Sequence, residues 1–143
     1  MRVEEMLQRK GSDVFTVRPN ATVSDVVGEL TRNNVGAVVV SEDDRTIDGI
    51  VSERDVVRAL AKGGADVLST EVSTIMSVDV HTASPDDTVD ALMATMTQRR
   101  FRHIPVVKDG ALIGIVSIGD VVKSRTDELE HDRDLLVDYI GAR

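Results

Sequence analysis

The chain repeats itself, and this internal duplication constrains the fold more than any other feature of the sequence. The segment 19–23 (Pro-Asn-Ala-Thr-Val) returns 66 residues later at 85–89 (Pro-Asp-Asp-Thr-Val). The segment 49–57 (Gly-Ile-Val-Ser-Glu-Arg-Asp-Val-Val) returns 65 residues later at 114–122 (Gly-Ile-Val-Ser-Ile-Gly-Asp-Val-Val). Because these segments recur in the same order, we expect two copies of one structural unit that pack against each other.

Each copy predicts the element order strand, helix, strand, strand, helix. Apolar residues recur at i, i+3, i+4 and i+7 from Val23 and again from Val89, which indicates one apolar stripe on each of two helices. Thr22 and Thr88 precede these helices as N-caps. The predicted strands cover 14–17, 37–40 and 47–51 in the first copy, and 78–82, 103–107 and 112–116 in the second. A further helix follows from Ser52 and from Ser117, and Asp109-Gly110 predicts a tight hairpin turn.

Flanking segments complete the two units. Residues 2–10 predict a short lead-in helix, and 71–76 the equivalent lead-in to the second copy. From Ser117 to about residue 140 the sequence predicts one helix, about 33 Å long at 1.5 Å per residue, whose distal apolar residues need a partner. The expected organisation is a lead-in helix and first repeat over 1–68, then a second repeat with the long C-terminal helix over 69–143.

Composition excludes several classes of protein. The net charge is −8, from 17 Lys and Arg against 25 Asp and Glu, which argues against a general nucleic-acid binder. With no cysteine there is neither a disulfide framework nor a cysteine metal site. The apolar runs are far shorter than the roughly 20 residues that span a bilayer. The first residues lack the apolar core of a signal peptide. We therefore expect a cytoplasmic protein without a membrane partner.

The repeated Gly-Ile-Val-Ser-x-x-Asp motif, at 49–55 and 114–120, has two interpretations. Ser followed three residues later by an acid is typical of a helix capping box. The same residues lie at a helix N-terminus, where backbone N–H groups attract anions. The Asp carboxylate would then accept the hydroxyls of a ribose, and the Ser hydroxyl would reach a phosphate. The two roles are compatible, because a cap residue also faces a cleft at the end of a strand.

Local cations and small residues add further candidates. Arg102 and His103 stand at the start of a predicted strand, where they suit a phosphate contact, and Arg54 and Lys10 could add to them. Arg99 and Arg100 also suit the C-terminus of the preceding helix. The segment 35–37 (Val-Gly-Ala) would let a flat ligand approach the backbone, or Gly36 would end the preceding helix.

The sequence offers few signs of other binding or catalytic sites. The sequence holds no P-loop and no Gly-x-Gly-x-x-Gly motif. The three histidines lack metal-ligand spacing, and no nucleophile is accompanied by a base. We therefore expect no catalytic residue, no catalytic cofactor and no metal.

The repeated order of elements, the two Gly-Ile-Val-Ser-x-x-Asp motifs and the segment 102–107 (Arg-His-Ile-Pro-Val-Val) together resemble a tandem pair of CBS domains, also called a Bateman module. The resemblance covers nearly the whole chain and is closest to small stand-alone bacterial CBS-pair proteins. It implies a mixed α/β (α+β) fold, in which two pseudo-symmetric repeats pack through their sheets.

The same resemblance implies a regulatory module that binds AMP, ADP, ATP, NAD or S-adenosylmethionine in clefts between the repeats, without catalysis. Asp55 and Asp120 would hold ribose hydroxyls, and Ser52 and Ser117 would contact phosphate. Three cations would neutralise the phosphate: Arg54, Arg102 and His103. One adenine pocket, paired with Asp120, would be lined by Val14, Phe15, Val35, Gly36 and Ala37; the other, paired with Asp55, by Val80, His81 and the start of the strand at His103. Ile115 is a further expected nucleotide-binding residue. Because the small Gly36 corresponds to Arg102, we expect the Asp120 pocket to accept adenine more readily.

The resemblance also implies a homodimer in which four repeats form a flat disc, and a regulated protein that the sequence does not identify. Two alternatives remain. A ligand-free interaction or dimerisation protein would rest on the apolar stripe of the C-terminal helix. An enzyme acting on nucleotides would need a nucleophile, base or metal set that the sequence does not show.

Overall fold

A computed structural model of the chain describes residues 1–11 and 13–141 and confirms the mixed α+β fold. The helices are α1 (Val3–Lys10), α2 (Val23–Asn33), α3 (Glu53–Gly63), α4 (Val89–Arg99) and α5 (Ile118–Gly141). The strands are β1 (Thr16–Val17), β2 (Ala37–Val40), β3 (Gly49–Ser52), β4 (His103–Lys108) and β5 (Ala111–Ser117), and two 3₁₀ segments lie at Gly64–Ser69 and Val72–Thr74. The predicted N-caps are confirmed: the side chain of Thr22 accepts a hydrogen bond from the amide of Asp25, and that of Thr88 from the amide of Ala91.

The two repeats form two small sheets of unequal size. In the first, β1 pairs parallel to β2, and β2 pairs antiparallel to β3. In the second, β4 and β5 form an antiparallel hairpin, whose turn residues Asp109 and Gly110 both have positive φ, as the sequence predicts.

The opening strands are shorter than the sequence predicts. The first covers only Thr16–Val17, and the expected strand at 78–82 is wrong. In the second repeat a single parallel bridge joins Ala83 to Val106, at the position that corresponds to the pairing of Val17 with Val40. Residues 78–82 form no strand, and Asp79, Val80 and His81 line the cleft between the repeats.

The lead-in segments pack on the repeat that they do not precede. Val3, Met6 and Leu7 of α1 belong to the core of the second repeat, together with Ile104 and Val116. Backbone bonds support this arrangement, since the amide of Val3 donates to the carbonyl of Asp87 at 2.9 Å and the amide of Val89 to that of Met1 at 2.9 Å.

In the same way the 3₁₀ segment Val72–Thr74 closes the core of the first repeat. Val72 is fully buried there, with Val23 and Val51, and Ile75 and Met76 pack against its edge. The amide of Val23 donates to the carbonyl of Thr70 at 2.9 Å, and the amide of Val72 to that of Ala21 at 2.7 Å. Each core therefore depends on a segment that lies outside its own strand-helix-strand-strand-helix unit.

This exchange explains the glycine of the repeated motif. A Cβ at Gly49 would lie 2.6 Å from the sulfur of Met76 and 2.9 Å from the carbonyl oxygen of Ser77. At Gly114 it would lie 2.8 Å from Cδ2 of Leu7. In both repeats the lead-in segment thus occupies the space that a side chain would need.

The loop 42–48 joins the first repeat to the hairpin of the second. Asp43 Oδ1 accepts hydrogen bonds from the amides of Arg45 and Thr46, and these bonds hold the pKa of its carboxyl well below the ordinary value. The carbonyl of Arg45, held in this way, accepts the amide of Leu112 at 2.9 Å.

The C-terminal helix confirms the prediction of one long element. Its first turns pack on the second repeat through Val121 and Ser124, whereas Leu129, Leu136 and Ile140 are exposed. Within residues 1–11 and 13–141, no helix has the length and apolarity needed to cross a membrane.

Replacement by alanine is expected to have unequal effects at Gly49 and at Gly114. We expect Gly49→Ala to lower the free energy of unfolding by about 2–3 kcal/mol, because the backbone of Ser77 is paired with Ile50 and cannot move away. We expect Gly114→Ala to cost about 1 kcal/mol, because the obstructing atom belongs to the flexible side chain of Leu7. Urea denaturation measures both variants, with Gly28→Ala, whose Cβ meets nothing within 4 Å, as the control. Equal losses for the two variants would contradict this interpretation.

Candidate functional site

The two Gly-Ile-Val-Ser-x-x-Asp motifs form the same structure at two strand-helix junctions. At the start of α3, Asp55 Oδ2 accepts the amide of Ser52 at 2.8 Å, and the amide of Asp55 donates to Ser52 Oγ at 3.3 Å. At the start of α5, Asp120 Oδ2 accepts the amide of Ser117 at 2.9 Å, and the amide of Asp120 donates to Ser117 Oγ at 3.1 Å. The capping-box interpretation of the motif is therefore confirmed in both repeats.

Asp120 carries an additional partner. The ammonium of Lys10 donates to Asp120 Oδ2 at 2.6 Å and to the carbonyl oxygen of Ile115 at 2.7 Å. Partial burial raises the pKa of the Asp120 carboxyl, but the hydrogen bonds from Lys10 and Ser117 outweigh burial and leave this pKa below its ordinary value. The sequence suggested Lys10 as a phosphate contact, whereas its nitrogen is directed at the motif carboxylate.

Both motifs open onto one cleft of about 680 Å³ between the repeats. The cleft brings together fourteen of the residues that the sequence suggested. They are Lys10, Val35, Gly36, Ala37, Ser52, Arg54, Asp55, Val80, His81, Arg102, His103, Ile115, Ser117 and Asp120. Val14 and Phe15 do not line it, and Phe15 packs against the core of the first repeat. The volume falls within the range of about 300–1,000 Å³ that small-molecule sites occupy.

The residues that line the cleft carry a net positive charge, whereas the chain as a whole is negative. Six of its lining residues are Lys or Arg, and four are Asp or Glu. In a chain of net charge −8 this local excess of cations favours an anionic ligand.

The sequence did not assign several of these charges. Arg99 and Arg100 line the cleft although they also end α4, and Arg58, Glu53 and Asp79 join them. Arg100 adopts the left-handed conformation (φ 58°), as does Asn34 at the end of α2 (φ 51°), 66 residues earlier. Extending the repeat alignment back to these helix ends would have paired Asn34 with Arg100. Both residues line the cleft, so the alignment would have indicated them as candidate site residues.

Two aromatic rings that line the cleft stack on each other. His81 and Phe101 stack with their centroids 5.9 Å apart and their planes 23° apart. The sequence suggested His81 both as a surface residue and as part of an adenine pocket, and the side chain is exposed and lines the cleft.

The space beside Gly36 is occupied by His103. A Cβ at Gly36 would lie 3.1 Å from Nε2 of His103 and 3.4 Å from a carboxylate oxygen of Glu53. Gly36 does not end α2, because Asn34 takes the left-handed capping position. The lack of a side chain at Gly36 therefore allows another group to come close to the backbone. In this structure that group is the imidazole of His103.

The surroundings of His103 favour its neutral form. Burial lowers the pKa of its imidazole, and Arg102 and Lys10 act in the same direction, whereas Glu53 and Asp120 oppose them. A neutral imidazole supplies one hydrogen-bond donor and one acceptor but no positive charge for a phosphate.

Within the described residues 1–11 and 13–141, no group of three His, Asp or Glu side chains is arranged to hold a metal ion.

Comparison with known proteins gives one consistent family. The family model of the CBS domain matches residues 3–62 and 72–127. A mitochondrial CBS domain-containing protein of Arabidopsis thaliana is 41% identical over 123 residues, which are 83% of this chain and 60% of that protein. A CBS-domain protein of Agrobacterium tumefaciens has a crystal structure that superposes with a TM-score of 0.84 at 46% identity, covering 87% of this chain and 99% of that one.

A more distant structure adds information about ligands of similar folds. The CBS domain pair of another protein, crystallised with 5′-methylthioadenosine and S-adenosyl-L-methionine, superposes with a TM-score of 0.80 at 22% identity, covering 90% of this chain and 98% of that one. At this identity the comparison supports the fold of our chain and leaves its ligand open.

The environment of His103 predicts its titration. We expect the imidazole pKa to lie below 6.5 in the folded protein and to return to that value in denaturant, because burial penalises the charged form. The unfolded state then binds the proton more tightly, so stability is full above pH 6.5 and declines as the pH falls towards the lower folded pKa. NMR titration of the ring, with His103→Gln used to assign its signals, measures the shift. A folded pKa above that of the denatured chain would contradict this prediction.

Proposed function

The chain belongs to the CBS-domain family, and from this premise we propose that it is a regulatory module that binds an adenosine-containing ligand in the cleft between its two repeats. Proteins built from a CBS pair are regulatory modules and are generally not enzymes. The finer proposal is that this chain binds AMP, ADP, ATP or NAD, lacks catalysis, and acts on a separate protein in the cytoplasm.

The observation that carries the proposal is the meeting of both motif carboxylates in one cationic cleft. Asp55 and Asp120 accept the ribose hydroxyls, because a carboxylate presents two acceptor oxygens to a diol. The hydroxyl of Ser117 forms a side-chain hydrogen bond with the Asp120 carboxylate, and it rotates to reach a phosphate. That of Ser52 is directed at Asp55 Oδ2, 3.0 Å away, and rotates to reach a ligand.

The remaining lining residues divide by chemistry. Arg54 and Arg102 pair with phosphate oxygens through their planar guanidinium groups. Adenine contacts come from the small and apolar residues and from the ring of His81: Val35, Gly36, Ala37, Val80, His81 and Ile115. His103, whose neutral form burial favours, orients the ligand by hydrogen bonding.

Ligand binding predicts a specific mutational pattern. We expect Asp55→Asn and Asp120→Asn each to weaken binding by about tenfold or more in their own half of the cleft, because a charge-assisted hydrogen bond contributes about 1.5–3 kcal/mol. Asparagine keeps an oxygen that accepts the capping bond, so the fold is retained. Calorimetric titration with AMP, ATP and NAD measures the effect.

The matched control is Asp25→Asn. Asp25 forms the same capping box with Thr22 at the start of α2 but does not line the cleft. We expect this variant to bind as the wild type does. If the wild type releases or absorbs no heat with any of the three nucleotides, adenosine-ligand binding is wrong.

We also propose that the chain forms a homodimer through α3 and α5. Val57 and Val122 occupy equivalent positions of these helices and are 64% and 58% exposed. Leu129, Leu136 and Ile140 extend the same exposed stripe along α5. A second copy would cover this stripe on both chains at once, because a two-fold axis places the same surface on each partner.

This stripe also supports the alternative function of a ligand-free dimerisation protein, and it predicts the effect of charge. We expect Val57→Glu combined with Val122→Glu to shift the protein from dimer to monomer in light-scattering chromatography. Dimerisation would have to bury the new carboxylates without partners, and their desolvation destabilises the dimer. Val78→Glu, at an exposed loop position outside both helices, is the control and should stay dimeric. A dimer that survives the double substitution excludes this interface. A dimer that binds no nucleotide favours the alternative function.

A further inference from the structure

The two motif carboxylates are held by different partners. Besides its capping bonds, Asp55 has as its nearest cation Arg58, whose Nη1 lies 3.9 Å from Asp55 Oδ1 on the same helix. Asp120 is held by Lys10, 110 residues away in sequence, at 2.6 Å. The repeats are alike in backbone, but only this Asp carries a direct hydrogen bond from a lysine of a distant element.

Lys10 is fixed in position by the fold. It is the last residue of α1, whose Leu7 fills the space beside Gly114. The amide of Gly11 closes the helix by donating to the carbonyl of Leu7 at 2.9 Å. The side chains of Lys10 and Asp120 are 28% and 26% exposed, so water screens this ion pair only in part.

A ribose diol would compete with Lys10. Oδ2 of Asp120 already accepts two hydrogen bonds, from the amide of Ser117 and from Lys10. A diol that uses both carboxylate oxygens must displace one of these donors, and the amide is part of the helix cap. At Asp55 the second donor to Oδ2 is the hydroxyl of Ser52, which yields by rotating about one bond.

We propose that Lys10 is a latch on the Asp120 half of the cleft. It lowers the affinity of that half for an adenosine ligand, so that the Asp55 half fills first. Filling the Asp120 half releases Lys10 and thereby loosens the end of α1, the helix that closes the core of the second repeat. The latch rests on the proposed binding of ribose by Asp120. It makes the Asp55 half fill first, whereas the small Gly36 led us to expect that the Asp120 half fills first.

The test isolates the Asp120 half by working in the Asp55→Asn background. AMP and adenosine are titrated calorimetrically into Asp55→Asn and into Asp55→Asn with Lys10→Met. We expect Lys10→Met to tighten binding of both ligands by about fivefold, the scale of a partly exposed ion pair. Lys62→Met is the matched control, because Lys62 also lies in the last turn of a helix but does not line the cleft.

Comparing the two ligands separates a latch from a phosphate contact. If Lys10 binds phosphate, its loss weakens AMP and leaves adenosine unchanged, which overturns the latch. Unchanged affinity for both ligands, or no measurable binding by the double variant, overturns it as well. These outcomes differ from failure of the proposed function, in which the wild type itself binds no ligand.

Hydrogen exchange supplies a second measurement. We expect saturating AMP to speed exchange of the Gly11 amide in the wild type, because release of Lys10 loosens the end of α1. In Lys10→Met this amide exchanges fast with or without ligand, and in Asp120→Asn AMP has no effect on it. Slower exchange of Gly11 in the AMP-bound wild type would overturn the proposal.

Discussion

The close approach of a lead-in segment to the glycine of each repeated motif determines the rest of the structure. The side chain of Leu7 lies against Gly114, and Met76 with the backbone of Ser77 lies against Gly49. Because each segment comes from outside the unit that it closes, neither repeat completes its core alone. Both motifs line one cleft, and Lys10 at the end of α1 reaches Asp120 near the start of α5. The cleft is thus a consequence of how the cores are closed.

The capping boxes show how one set of atoms serves both folding and a binding site. A helix N-terminus needs acceptors for its free amides, and Ser and Asp supply them in both repeats. The positive end of the helix dipole favours anions at the same place. A residue that stabilises the helix therefore already stands where an anionic ligand would be attracted. For this reason the structural and functional interpretations of the motif do not exclude each other.

The sequence predicted those features that leave a local or repeated pattern. Helix stripes, N-caps, the hairpin turn at Asp109 and the duplicated motif are of this kind, and the structure has all of them. Residues 78–82 looked like a strand because their counterpart at 14–17 did, but only Ala83 reaches a parallel partner. The contacts of Lys10 with Asp120 and of His103 with Gly36 join elements far apart in the chain. No local pattern encodes such contacts. The sequence therefore predicted that Lys10 and His103 lie near a ligand, but it did not predict that they contact Asp120 and Gly36.

The duplication yields a symmetric backbone with asymmetric charge. Where one repeat has Asn34 and Gly36, the other has Arg100 and Arg102 at the corresponding positions, and the capping geometry is otherwise shared. Substitution at the rim changes the electrostatics of one half without disturbing the cores, because these side chains are outside the core clusters. Two halves of unequal affinity respond over a wider range of ligand concentration than two equal ones, since the second half begins to fill where the first is saturated. Under the proposed function, unequal charge on two equivalent backbones would give the module this wider range of response.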